Sequence, residues 1–147
     1  MKKVLYQDLE NYQKQLLNSA KNAMKFSYAP YSNFHVGAAV LTADKKIFSG
    51  TNIENSSYGA TICAERVAIF KAVSEGYTNF RAIAIIGSSK KVITPCGCCR
   101  QVIVEFSQKQ KRDIEIIMAN EDLSEIVISS ISELLPLAFK LEEVSRK

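Results

Sequence analysis

With 147 residues the chain has room for one good hydrophobic core and not two, and a composition of 47% hydrophobic and 23% charged residues excludes a disordered or fibrous protein. The net charge of +4 comes from pairs scattered along the chain, at Lys2-Lys3, Lys45-Lys46, Lys90-Lys91 and Lys111-Arg112, without the clustered basic stripe of a nucleic-acid footprint. Met1 to Glu10 lacks the apolar core of a secretion signal, and no apolar run approaches the roughly 20 residues that span a bilayer. These features predict one cytoplasmic domain over residues 1–147, with neither membrane nor nucleic acid as a partner.

From Tyr6 to Phe26, apolar residues at Leu9, Tyr12, Leu16, Leu17, Ala20, Ala23 and Met24 recur at three and four, which predicts an amphipathic helix. Tyr28-Ala29-Pro30-Tyr31-Ser32-Asn33 breaks it. Val36 to Leu41 and Lys46 to Thr51 read as a hairpin around Thr42-Ala43-Asp44-Lys45. A helix is expected from about Cys63 to Glu75, stopping at Gly76. Ala82 to Ile86 and Ile114 to Met118 are short apolar runs suited to buried central strands. Between them Val102, Ile103 and Phe106 lie at helical spacing, so Gly97 to Gln108 predicts a helix crossing between two parallel strands. A short strand near Glu125 to Ile128 and a helical turn from Ser132 to Leu135 complete the chain.

The four cysteines fall at Cys63, Cys96, Cys98 and Cys99. In a reducing compartment such close spacing points to a metal or to catalysis rather than to disulfides. Cys96 and Cys99, three apart at a helix start, aim at one point, whereas Cys98 points elsewhere and is expected to pack as a small apolar residue. Cys63, at the start of the other helix, is the third candidate ligand. Unsatisfied N–H groups at helix N-termini favour thiolate at all three sulfurs. Catalytic zinc takes three protein ligands and keeps a fourth position for water, while structural zinc is closed by four. A structural site recruiting Cys98 is therefore the competing reading, and it leaves Glu65 without a purpose.

A Cys-x-Glu followed by Pro-Cys-x-x-Cys is the signature of zinc deaminases, present here as Cys63-Ala64-Glu65 and Pro95-Cys96-Gly97-Cys98-Cys99. The chain resembles the small, three-cysteine branch of the cytidine deaminase family. The match runs from Tyr28-Ala29-Pro30-Tyr31-Ser32 through Phe34, Val36-Gly37-Ala38, Asn52-Ile53-Glu54-Asn55 and Cys63-Ala64-Glu65-Arg66 to Cys99-Arg100-Gln101 and Leu134-Leu135-Pro136. Leu137 stands where members often carry a small residue.

The resemblance implies an α/β fold, a three-layer α/β/α arrangement with a mixed, mostly parallel five-stranded sheet and helices on both faces. It implies one Zn2+ per subunit and hydrolysis of cytidine and deoxycytidine to uridine and deoxyuridine in pyrimidine salvage. Glu65 would be the catalytic proton carrier and Arg66 the donor to the ligand sulfurs, offsetting the charge of three thiolates. Asn52 and Glu54 would bind the ribose 3′-hydroxyl, Phe34 would pack on the pyrimidine, and Ala64 would offer its backbone to the base edge. Tyr58 and Phe139 would complete pockets shared between subunits of a homotetramer. His35 lacks a His-x-Glu context and is expected to be a structural or surface histidine. The competing activity is deamination of an analogue such as blasticidin S.

Overall fold

The computed structural model describes residues 1–141. In chain order these form β1 (Lys2–Val4), α1 (Asn11–Met24), β2 (Val36–Thr42), β3 (Ile47–Thr51), α2 (Ala64–Ser74), β4 (Phe80–Gly87), α3 (Gly97–Gln110), β5 (Glu115–Ala119), β6 (Ile126–Ser130) and α4 (Ile131–Leu134), with single 3-10 turns at Tyr6–Asp8 and Tyr58–Ala60. The first helix starts later than its apolar periodicity suggests. A capping box fixes the start: the Glu10 N–H donates to Gln13 Oε1 at 2.9 Å and the Glu10 side chain accepts from the Gln13 N–H.

The strands form one six-stranded sheet in the order β1-β6-β5-β4-β2-β3. This corrects the expected five-stranded, mostly parallel sheet. Among the strands of the described residues only β4 and β5 pair in parallel, as the strand–helix–strand pattern required. The β2–β3 hairpin, the β2–β4 pair, the β5–β6 pair and the β1–β6 pair are all antiparallel. β1 is too short, and too rich in lysine, to carry a periodic signal, and it is the sixth strand.

Alternation along the strands divides the core into two layers. Ala39, Leu41, Ala82, Ala84 and Ile86 face Leu16, Leu17 and Ala20 of α1. Ala38, Val40, Ile83, Ile85, Ile116 and Met118 face α2, α3 and α4 through Ala68, Ile69, Ala72, Ile103 and Ile131. Since β2 is antiparallel to both β3 and β4, those two strands point the same way. The crossovers β3–α2–β4 and β4–α3–β5 move in the same direction across the sheet, so the right-handed rule places both helices on one face. Both helices also begin at the same end, where β3 and β4 finish.

Close approach of α1 to β2 depends on Gly37. A Cβ there would lie 1.8 Å from the Ala20 carbonyl oxygen and 2.9 Å from the Met24 nitrogen. Gly37→Ala must push helix and sheet apart, and is expected to cost about 3 kcal/mol or more, read as a lowered urea midpoint. Gly59→Ala, where an added Cβ meets nothing within 4 Å, should leave the midpoint within about 0.5 kcal/mol of the parent.

Candidate active site

Cys63 and Cys96 are the N-cap residues of α2 and α3, each with extended backbone and neither using its side chain to cap its own helix. Their sulfurs are therefore free to converge, and Cys63 Sγ lies 3.8 Å from Cys96 Sγ. Cys99, in the first turn of α3, is buried and joins them, so that all three sulfurs lie within 4.8 Å of one another. Tetrahedral zinc with bonds of about 2.3 Å sets its sulfurs about 3.8 Å apart. The cluster fits that ion in spacing and in donor type. Cys98 is exposed, which corrects the expectation that it packs as a small apolar residue: its place in the first turn of α3 faces solvent. It lies outside the cluster, which removes the closed four-cysteine reading. His35 is also outside it, and its backbone exchanges hydrogen bonds with Ser88, at 2.9 Å from His35 N to Ser88 Oγ and 2.8 Å from Ser88 N to the His35 carbonyl.

Glu65 and Arg66 follow Cys63 into the first turn of α2. Gly50 lets this turn sit on β3, because a Cβ at Gly50 would lie 2.5 Å from the Ala68 nitrogen and 2.8 Å from the Ala64 carbonyl oxygen. Arg66 Nη2 donates to Cys63 Sγ at 3.3 Å, and its Nε is buried without a hydrogen-bond partner among the described residues. Without metal, the Cys63 thiol is drawn down to about 5, first by a hydrogen bond with Cys99 and then by Arg66. The same Cys63 bond, with burial, pushes Cys99 up, so it retains the proton the two share. Glu65 is 4% exposed. Burial above all, and the nearby Cys63 charge, push its carboxyl up to about 7 against the opposing pull of Cys99 and Arg66. A buried carboxyl beside a metal-binding cluster and outside the ligand set is suited to moving protons.

Phe34, Asn52, Glu54 and Ala64 gather at the same end of the sheet, whereas Phe139 lies by the opposite end of α3, its carbonyl accepting from Gln108 Nε2 at 3.3 Å. Phe34, half-buried, precedes β2, and Asn52 and Glu54 follow β3. Asn52 Nδ2 donates to the Phe34 carbonyl at 2.8 Å, and its Oδ1 accepts from the Val36 N–H at 2.9 Å and from the Ser27 hydroxyl. Glu54 Oε1 accepts from the N–H groups of Tyr31 and Ser32, and Oε2 from the Ser32 hydroxyl; these bonds, led by the hydroxyl, hold its carboxyl below the ordinary value. Ala64 is fully buried as the first residue of α2. Tyr58 and Phe139 are exposed, Tyr58 edge-on to Tyr31 with ring centroids 6.0 Å apart.

Arg100 has a structural place that sequence reasoning missed. Its guanidinium donates to the Pro95 carbonyl at 2.8 Å, the Leu134 carbonyl at 3.0 Å and Thr94 Oγ1 at 3.3 Å. It thereby ties the loop before Cys96 to the end of α4. In the sequence it stood out only as part of the Cys99-Arg100-Gln101 match, with no role attached.

A family model described as the cytidine and deoxycytidylate deaminase zinc-binding region matches residues 10–112. A probable cytidine deaminase of Dictyostelium discoideum is 47% identical over 132 residues, covering 89% of this chain and 86% of the relative. The crystal structure of cytidine deaminase from Burkholderia pseudomallei superposes with a TM-score of 0.80 at 44% identity, covering 89% of this chain and all of that one. A more distant relative, the blasticidin-S deaminase of Bacillus cereus, is 33% identical over 113 residues, covering 71% of this chain and 76% of the relative.

Two measurements check this geometry. Cys98→Ala should retain one zinc per chain by metal analysis, whereas Cys99→Ala should lose it; equal loss from both would contradict a three-sulfur site. In zinc-free protein, Glu65 keeps its proton to about 7 when folded but only to about 4.5 when unfolded. Its burial costs nothing below about pH 4.5, where both states are protonated; the cost grows as pH rises toward 7 and is then constant, reaching on the order of 3 kcal/mol. Zinc-free Glu65→Gln should therefore gain stability over the parent between pH 5 and 8 in urea melts, with no such gain at pH 4.

Proposed function

The chain belongs to the cytidine and deoxycytidylate deaminase family, and from that premise we propose that it hydrolyses cytidine and deoxycytidine to uridine and deoxyuridine with release of ammonia, using one zinc ion per subunit. The observation that carries this reading is the buried carboxyl of Glu65, held near neutrality beside three convergent cysteines of which it is not one of the ligands.

Cys63, Cys96 and Cys99 would hold the zinc ion, which when bound would supply the Lewis acidity that brings the pKa of water from 15.7 toward about 7. Glu65 takes one proton from the water attacking C4 and delivers it to ring N3. It then carries the second to the departing amine; the C4–N bond breaks, ammonia leaves and a C4 carbonyl remains. A carboxyl poised near 7 exchanges protons in both directions at neutral pH. Arg66 draws charge from the Cys63 sulfur and limits the electron density that three thiolates place on the cation. No helix among the described residues is long and apolar enough to cross a membrane.

Substrate recognition follows from what each polar group has left to offer. Asn52 Oδ1 already accepts two hydrogen bonds, but Nδ2 uses one of its two N–H groups. Glu54 Oε2 accepts one and has room for another. A ribose 3′-hydroxyl then donates to Glu54 and accepts from Asn52. The Phe34 ring packs on the pyrimidine, and the Ala64 backbone, at the helix start, meets the base edge. A 3′-esterified polynucleotide has no proton for Glu54, which weighs against nucleic-acid substrates.

Tyr58, edge-on to Tyr31, is 77% exposed, Tyr28 and Ile53 are also exposed, and Phe139, beside the C-terminal end of α3, is 61% exposed. Apolar surface of this kind is characteristically covered in an assembly, which supports a homotetramer whose neighbours share pockets through Tyr58 and Phe139. One sheet with an apolar cluster on each face supports a single domain over the chain. Four free thiols suit a reducing cytoplasm and a role in pyrimidine salvage.

Blasticidin S deamination is the second reading, favoured by the Bacillus cereus relative. Side-by-side assay of cytidine, deoxycytidine, blasticidin S and a cytosine-containing oligonucleotide separates the two: absorbance loss with ammonia release is expected for the two nucleosides. Glu65→Ala should keep its zinc and lose at least about 10²-fold in kcat. A zinc-bound variant with parental turnover would contradict the assignment.

A further inference from the structure

A chain of hydrogen bonds joins groups that the preceding reading assigns to opposite ends of the nucleoside. Ser32 donates its hydroxyl proton to Glu54 Oε2 and accepts the N–H of Phe34 on the same oxygen at 3.0 Å. Across the same residue, the Phe34 carbonyl accepts from Asn52 Nδ2 at 2.8 Å. Phe34 is thus gripped at both polar groups of its backbone, through Ser32 from Glu54 on one side and directly by Asn52 on the other. Asn33 makes the turn possible by adopting φ 53, a left-handed conformation that asparagine tolerates better than most residues. At the far end of the side chain, Phe34 Cζ and Ile93 Cδ1 occupy the space over Gly87, 3.0 Å and 2.8 Å from where a Cβ would stand. With the ring seated there, the conformation of the 31–34 backbone sets how the ring meets a substrate.

We propose that Ser32 is a positioning residue for the deamination, coupling the carboxylate that reads the 3′-hydroxyl to the aromatic wall that reads the base. The inference rests on the roles proposed above for Glu54 and Phe34. Joining the two groups requires one atom that both donates and accepts, and a hydroxyl does this where a methyl cannot. Glu54 accepts from Ser32 and from the backbone of residues 31 and 32, so a sugar hydroxyl landing on that carboxylate bears on the same turn that carries Phe34. Binding of the sugar and packing of the base then reinforce each other.

The test compares Ser32→Ala and Ser32→Thr with the parent on cytidine and on 3′-deoxycytidine, alongside Phe34→Leu and the Ser32→Ala/Phe34→Leu double variant. Ser32→Ala should lose about tenfold in kcat/KM on cytidine, mostly through KM. It should lose about threefold or less on 3′-deoxycytidine, which lacks the hydroxyl being relayed. Ser32→Thr should recover cytidine turnover to within about twofold, and the double variant should be no worse than Phe34→Leu alone. Zinc content and urea midpoint should stay at parental values, since Ser32 is exposed. Equal losses on both nucleosides, additive losses in the double variant, or a loss of zinc or stability that accounts for the kinetics would overturn the relay. Phe34→Leu with an unaltered KM for cytidine would instead overturn the substrate reading, and the relay with it.

Discussion

The N-termini of α2 and α3 meet because β3 and β4 are parallel strands separated by the antiparallel β2, so that successive right-handed crossovers start two helices from one end of one face. Everything chemical in the protein depends on this meeting. Each helix presents unsatisfied N–H groups and partial positive charge at its first turn, and each has a cysteine as its N-cap. Two thiols from residues 33 positions apart come within 3.8 Å, and a third follows from the helical turn between Cys96 and Cys99. The ends of strands at such a crossing are where open α/β sheets generally place ligands.

Charge balance is the second constraint. Three thiolates would overload a divalent cation, and the chain places Arg66 one residue beyond Glu65 so that its guanidinium reaches the Cys63 sulfur. The same turn buries Glu65 without giving it an opposite charge strong enough to keep it ionised, and its proton affinity rises. One helical turn thus carries a candidate metal ligand, a buried carboxyl suited to moving protons and a guanidinium that donates to sulfur, with Ala64 small enough to keep the backbone close. Gly50 beneath it and Arg100 on the neighbouring helix are the supports, the first by taking up no space and the second by satisfying three acceptors from two segments.

The loop over residues 31–36 shows side chains serving both structure and site. Asn52 and Glu54 bond mainly to backbone groups of this loop. A polar residue that organises a loop and still has a donor or acceptor to spare is preorganised toward a ligand, because its rotamer is fixed before the ligand arrives.

The sequence by itself determined most of the elements and the kind of chemistry to expect. Periodicity marked α1 and the β4–α3–β5 unit, and the spacing of Cys63, Glu65, Cys96 and Cys99 pointed to a three-sulfur cluster with a carboxyl beside it, because helix phase and ligand chemistry are local properties. The tertiary structure decided the sheet. β1 on the edge of β6 and the antiparallel match of β2 with β4 arise from pairings between distant residues that leave no trace in local pattern. It also decided that Cys98 is exposed to solvent and that Arg100 clamps Leu134. Strand direction, side-chain reach and the identity of a buried acceptor are set by which surfaces pack together, and one residue's neighbours in sequence do not specify them.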